Sequence, residues 1–239
     1  QKLPDHVDRC RHRRAHPQFP AGVLGQSSGI AHVTDYIGYV AASTAAAPTG
    51  QWFRSSDGTQ WWFDSGSLSL DFAYTGAMSD NPAWEQLHAP ADLATWLEQR
   101  FPAADGIVSE GDLRDALELR GALARAATSA SRGEAPAPVD VDIINLFAAT
   151  PDIAPALEGG TRQAGRSRVR TGQALSAMAR EAIGLLAAVE ERRYRECAAD
   201  DCQLVFHDES RSNNRRWCSM LRCGNRTKVR NHRARKATA

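Results

Sequence analysis

No apolar run in this 239-residue sequence approaches the roughly 18 residues needed to cross a bilayer; the best stretch, Ile183 to Val189, is short and lies inside an amphipathic pattern. A membrane-spanning helix is therefore not expected. The first residues lack an apolar segment followed by a small-residue cleavage site, so the cytoplasm is the expected compartment. Gln1 in place of methionine suggests that residues 1–50 are a disordered or misassigned leader, an expectation reinforced by their small residues and weak periodicity. Also missing are the G-x-x-x-x-G-K-[ST] phosphate loop, the G-x-G-x-x-G turn and the H-E-x-x-H zinc-protease pair, so nucleotide and metallopeptidase chemistry have no support. Gly25-Gln26-Ser27-Ser28-Gly29 matches the string of a serine nucleophile elbow, but no strand precedes it and no helix follows, and it reads as chance. No catalytic residue is assigned.

Cysteine is scarce, and its placement is informative. Four of the five cysteines fall near the C-terminus as Cys197/Cys202 and Cys218/Cys223, each pair with four intervening residues and the pairs 15 residues apart. Two short-spaced pairs joined by such a loop form a four-thiolate zinc pattern, with metal–sulfur bonds of about 2.3 Å. Two disulfides are the competing account, disfavoured by a reducing compartment, and unmetallated redox thiols lack the C-x-x-C spacing. Four thiolates would close the coordination sphere, so the expected cofactor is one structural zinc ion. Ser219 stands where a helix N-cap would place Cys223 in the first turn. His207, Asp208 and Glu209, between the pairs, read as a solvated loop, with an acid/base group or spare ligand as the alternative. Cys10 with His6, His12 and His16 fits no common metal spacing.

Acidic residues are missing from the end of the chain. The overall formal charge is +1, but from Arg192 onward there are 13 basic and 5 acidic residues, leaving 16 basic and 23 acidic in the rest. From Arg211 onward there are 10 basic residues and no Asp or Glu. An acidic body with a basic tail points to a polyanionic partner, most commonly nucleic acid, against the plainer reading of a solvated terminus.

The body is expected to be mainly helical with a small β-hairpin, an α+β arrangement supported by a composition of 42% hydrophobic and 24% charged residues. Trp52–Arg54 and Trp61–Phe63 flank an Asp57-Gly58 turn signal. Pro90 and Asp92 open a helix carrying Leu93, Trp96, Leu97 and Phe101. Ser109 and Asp112 start a second helix through Leu113 to Leu123, Val141 to Ala149 form a short third, and Ser131 to Pro138 form the loop between them. Leu175, Met178, Ala182, Leu186 and Val189 predict a long helix that runs almost into Cys197 and couples body to finger. The expected organisation is a leader over 1–50, a body over 51–190 and a four-cysteine, zinc-ribbon-like module over 191–239 that ends in a basic helix.

Cys197 to Cys202, Arg215-Arg216-Trp217-Cys218-Ser219-Met220 and Cys223-Gly224-Asn225-Arg226-Thr227-Lys228-Val229-Arg230 resemble the CGNR zinc-finger family. Phe63-Asp64-Ser65-Gly66 with Leu68, Leu70, Asp71 and Phe72 is similar to the start of the N-terminal ABATE domain of these bacterial proteins, with Tyr74 where the family often has Asn. The resemblance spans about residues 60 to 237 and implies a stress-induced transcription regulator. Zinc would organise a final helix whose basic residues Lys228, Arg230, Arg233 and Arg235 spread around its circumference, with Arg215, Arg216 and Arg226 at its border. Asn225 and Asn231 are candidates for base-edge contacts, although Asn225 also reads as a cap on the knuckle backbone. Trp217 reads as a packing plug before it reads as a base-stacking platform. Double-stranded DNA is the expected partner; a homodimer and an effector on the body are open, and an RNA-binding or protein-interaction module is the alternative.

Overall fold

The computed structural model describes residues 49–54, 58, 60–78, 82–101, 103–153, 168–188 and 192–237. The expectations for residues 1–48, including the Cys10 group and the Gly25–Gly29 string, lie outside these, as do most of the hairpin turn and Val189.

Alternating residues make the first element. Gln51–Arg54 (β1) and Gln60–Phe63 (β2) pair antiparallel with Trp52 opposite Trp62 and Phe53 opposite Trp61. Phe53, Trp61 and Phe63 are buried on one face, while Trp52 and Trp62 stand exposed in a T-shaped pair on the other. Gly58 has φ +83°, the left-handed conformation that an Asp-Gly turn calls for.

Among the described residues five α-helices complete the body. Leu68–Ala73 (α1) is a short helix that periodicity did not reveal, because five of its six residues are buried and no polar face marks its period. Its N-terminus is satisfied from two directions: Ser67 Oγ accepts from Leu70 N, and the Glu181 carboxylate accepts from Leu68 N and Ser69 N at 3.0 and 2.6 Å. Pro90–Arg100 (α2) begins with proline in its first turn, and Asp92 accepts the N–H groups of His88 and Ala89. Glu110–Ser131 (α3) opens on the reciprocal Ser109/Asp112 capping box. Pro138–Ala148 (α4) starts three residues before the expected Val141, since Pro138 occupies a first-turn position where its missing N–H costs nothing. Thr171–Ala187 (α5) ends well short of Cys197.

One core lies between α1, α2, α3, α4 and α5 around Phe72, Leu93, Leu119, Leu175 and Met178. Charged groups that enter it are paired. Arg120 makes a bidentate bridge to Glu85 at 2.7 Å, and although burial pushes the Glu85 carboxyl up, Arg120 and the N–H groups of Leu87 and Gln86 outweigh it and hold the pKa below its usual range. Asp140 is buried against Arg125 at 2.6 Å.

Asp71 ties the hairpin to this core. It is fully buried, accepts Ser65 Oγ and Gly50 N at 2.6 Å each, and lies 3.7 Å from the Arg100 guanidinium, which itself donates to Gly50 O. Thr49 and Gly50, placed in the leader by the expected boundary, are thus bonded into the body. Burial raises the Asp71 pKa from 3.8 to about 6, against the pull of Ser65, Gly50 and Arg100. A raised folded-state pKa means that the folded chain holds the proton more tightly, so this contribution is complete below pH 4 and is lost as pH rises through 6. Asp71→Asn cannot titrate. The stability of the wild type relative to this variant should fall by about 2 kcal/mol between pH 4 and pH 7, as measured by urea unfolding at a series of pH values. A pH-independent difference would contradict the assignment.

Candidate metal centre and basic helix

The C-terminal segment folds onto the hairpin and α1. Tyr194–Glu196 (β3) pairs antiparallel with Val205–His207 (β4), and the turn between them carries Cys197 and Cys202. Cys197 N donates to Leu204 O and Cys202 N to Ala199 O, which closes the first knuckle, while Ala198 N donates to Arg216 O and draws the second cysteine segment alongside. Met220–Gly224 then forms one π-helical turn that runs directly into Asn225–Ala237 (α6). Ser219 stands at the N-cap position as expected, but its side chain makes no cap bond; its carbonyl oxygen instead accepts from both Cys223 N and Gly224 N. The widened turn brings Cys223 inward. Gly224 lets Met220 and Trp217 close over the turn: a Cβ would lie 2.7 Å from Met220 Sδ and 3.2 Å from Trp217 Cδ1 and would displace the methionine.

The four cysteines form one cluster. Their sulfurs lie within 4.8 Å of one another, with Cys202–Cys218 at 3.7 Å and Cys218–Cys223 at 3.5 Å, and Cys197 Sγ accepts from Cys218 N. A tetrahedron of sulfurs about 2.3 Å from a central ion has edges of about 3.8 Å, so these spacings fit one tetrahedral metal ion. None of the four is in a disulfide. The chemistry of the set asks for a cation: hydrogen bonds from Cys202 and Cys218 hold the Cys197 thiol well below the usual thiol range, while giving those hydrogen bonds pushes Cys202 and Cys218 above it. One thiolate forms readily, and further ionisation needs positive charge between the sulfurs.

The environment of the cluster is shared with the body. Cys197, Cys218 and Cys223 are buried in a second core with Phe53, Trp61, Phe63, Leu70 and Tyr74, and with Val205 and Phe206 from the finger. Tyr74 Oη donates to Val205 O at 2.9 Å and accepts Val205 N at 2.7 Å; burial holds its proton well beyond the ordinary tyrosine range. Ser65 O accepts His207 N at 2.8 Å. Gly66, at φ +80°, lies so close to the His207 carbonyl oxygen that a Cβ would collide with it. Coupling of body to finger is therefore achieved by this packing, to which α5 contributes Leu185 and Leu186, and not by a helix that continues to Cys197.

His207 and Asp208 correct the expectation of a solvated loop: both are buried, and only Glu209 is exposed. Burial pushes the Asp208 carboxyl up, but the Ser210 hydroxyl, the N–H groups of Ser210 and Arg215 and the nearby Arg195 outweigh it and hold the pKa below its usual range. Asp208 shapes the loop that returns the chain to Cys218. No sequence period marks such a role, since its partners are mainly backbone groups.

The basic residues divide by environment. Arg215 is half-buried over Phe206 and donates to Trp217 O, Cys218 O and Asp64 O, so it pins the second knuckle to the body. Arg226 donates to Asp201 at 2.9 Å and to Cys223 Sγ at 3.5 Å, and Arg230, one turn on, meets Asp200 and Asp201 at 3.2 and 3.3 Å. Arg216 is exposed above Trp217, which packs against the second core in the manner of a plug. Asn225 is exposed, and among the described residues its side chain makes no hydrogen bond, in contrast to the knuckle-cap reading. Lys228, Asn231, Arg233 and Arg235 are exposed, in a stretch of α6 exposed from Lys228 to Lys236. Arg222, overlooked in the sequence because it sits between two conspicuous motif residues, stacks 3.6 Å from the Trp61 ring centroid.

Residues 66–189 match the ABATE family, described as "Putative stress-induced transcription regulator", and residues 193–236 match the CGNR zinc finger. The chain belongs to this ABATE–CGNR family. A comparison with curated proteins gave no match. The β1–β2 hairpin precedes both matched segments, yet it supplies Phe53, Trp61 and Phe63 to the core around the CGNR cysteines. Among the described residues no helix is long and apolar enough to cross a membrane.

Gly66 offers a direct test of the ABATE–CGNR contact. Gly66→Ala should destabilise the protein by about 2 to 4 kcal/mol, whereas Gly58→Ala, with a similar φ but open space around it, should cost about 1 kcal/mol. Thermal denaturation of both variants checks this, and equal losses would remove the collision with His207 as the cause.

Proposed function

We propose that this protein is a bacterial DNA-binding transcription regulator, acting at the nucleoid in the cytoplasm, in which one structural zinc ion fixes the launch point of α6 and no reaction is catalysed. The observation that carries the reading is the exposed, acid-free α6, whose first residue follows directly on the cysteine-bearing π turn. A zinc ion held by Cys197, Cys202, Cys218 and Cys223 supplies the positive charge that four thiolates require and cross-links the two knuckles. The chain's own residues do the rest. Arg226 and Arg230, one turn apart on the knuckle side, clamp the root of α6 to Asp200 and Asp201. Lys228, Asn231 and Arg235 follow at two, five and nine residues from Arg226, on the opposite side of the helix, and Arg233 extends past the clamp. Its 13 residues span about 20 Å, which suits insertion along a duplex groove.

In this reading Lys228, Arg233, Arg235 and Arg216 contact phosphates, Asn231 and Asn225 reach base edges, and Arg215 positions the finger without touching DNA. Duplex is favoured over single-stranded RNA because the exposed helix carries no Phe, Tyr or Trp for base stacking, His232 being its one ring.

Two measurements test it. Cys218→Ser should lose the metal and, because the core is shared, also blue-shifted tryptophan fluorescence from Trp61 in the body; a metal-free variant with unchanged fluorescence would refute the structural role. For the metal-loaded protein, log K for duplex DNA should fall with log salt, and Arg233→Ala with Arg235→Ala should reduce the slope by about 2. Salt-independent binding, or stronger capture of structured RNA than of any duplex, would overturn the DNA reading.

A further inference from the structure

An open groove of about 1020 Å³ separates α3 from the first knuckle of the finger. Its apolar lining includes Met78, Trp84, Ala124 and Leu204. A cleft of this size that joins two parts of a protein is a common setting for a small ligand.

The charged side chains that line it are ion-paired, Asp200 and Asp201 by arginines outside the groove, with one exception. Asp140 is bridged by Arg125 at 2.6 Å and Glu196 by Arg132 at 3.1 Å. Asp200 and Asp201 are taken up by Arg226 and Arg230. Arg222 remains: among the described residues its guanidinium makes no hydrogen bond and no ion pair, and its contact is the face of Trp61 at 3.6 Å. Stacking restrains the plane of the guanidinium and leaves its N–H edges to accept a partner. An arginine restrained in this way is preorganised for bidentate binding of a planar or tetrahedral oxyanion, so less rotamer entropy is lost when the ligand arrives.

We infer that this groove is a binding site for a small organic monoanion, its carboxylate held by Arg222 and its apolar or aromatic body laid along Met78, Trp84 and Leu204. Arg222 is the one unpaired cation of the lining among the described residues, so a single negative charge is matched there, and a second would face Asp200, Asp201 and Glu196. A ligand seated there touches the helical body through α3 and the metal-bearing module through Leu204 and Arg222. The site stands apart from the nucleic-acid reading and does not depend on it.

Calorimetry and protein-observed NMR on the metal-loaded full chain, with 1-naphthoate as the probe and 1-naphthamide as its uncharged counterpart, test the inference. Saturable one-to-one binding of 1-naphthoate is expected, at least about tenfold tighter than the amide, with shifts at Trp84 and Leu204. Arg222→Gln should weaken the acid by about tenfold and leave the amide unchanged, while Arg211→Gln, on an exposed finger loop, should change neither. Ala77→Trp narrows the groove from its exposed rim without entering either core, and it should weaken both probes even if Arg222→Gln loses its metal. Absence of saturable binding, equal affinity for acid and amide, or undiminished binding by Ala77→Trp would overturn the site.

Discussion

The backbone of Ser65 and Gly66 lies directly on that of β4, and most of the structure follows from how close the two come. Only a residue without a Cβ, at φ +80°, admits the His207 carbonyl oxygen at that distance. Once the two backbones meet, Tyr74 reaches Val205 with both hydrogen bonds of its hydroxyl, and the inner face of the hairpin closes over Phe206. The metal-binding segment is too short to bury a core of its own, and the body supplies one. In turn α1 is held at its N-terminus by Glu181 from α5, so the contact transmits to the long helices of the body.

Much of this was legible because the relevant signals are local. Four cysteines at two equal spacings announce a tetrahedral site whatever surrounds them, and Pro90 and Ser109 mark helix starts by chemistry that acts within one turn. Hidden features depend on contacts distant in sequence. The helix α1 is buried nearly all round and offers no amphipathic period, and β3 and β4 are three residues each, too short for alternation to declare itself. The expected run of α5 almost into Cys197 failed for a related reason: hydrophobic period gives the face of a helix but not the point at which the chain leaves it. Arg215 looked like a surface cation by its neighbours, and only the fold places Asp64 O, 151 residues away in sequence, within reach of it.

Charge sorting along the chain also proved an incomplete guide. The last stretch has no acid of its own, yet Asp200 and Asp201 project from the first knuckle and meet two of its arginines. Exposed pairs of this kind contribute little to stability, about 0 to 1 kcal/mol each, but they orient long side chains and so sort the tail into a clamped root and an open remainder. The metal centre is tied into the same arrangement, because Arg226 bridges the Cys223 sulfur and Asp201.

The hairpin precedes both family-matched segments and yet shelters the cysteine-bearing module. A module whose hydrophobic floor belongs to its host cannot be exchanged between proteins as a cassette: moved to another body, it would arrive with Val205, Phe206 and Cys223 uncovered. Substitutions at Phe53, Trp61 or Phe63 act on the metal-binding fold as directly as those beside the ligands. For a lineage that carries both parts, body and finger are bound to change together.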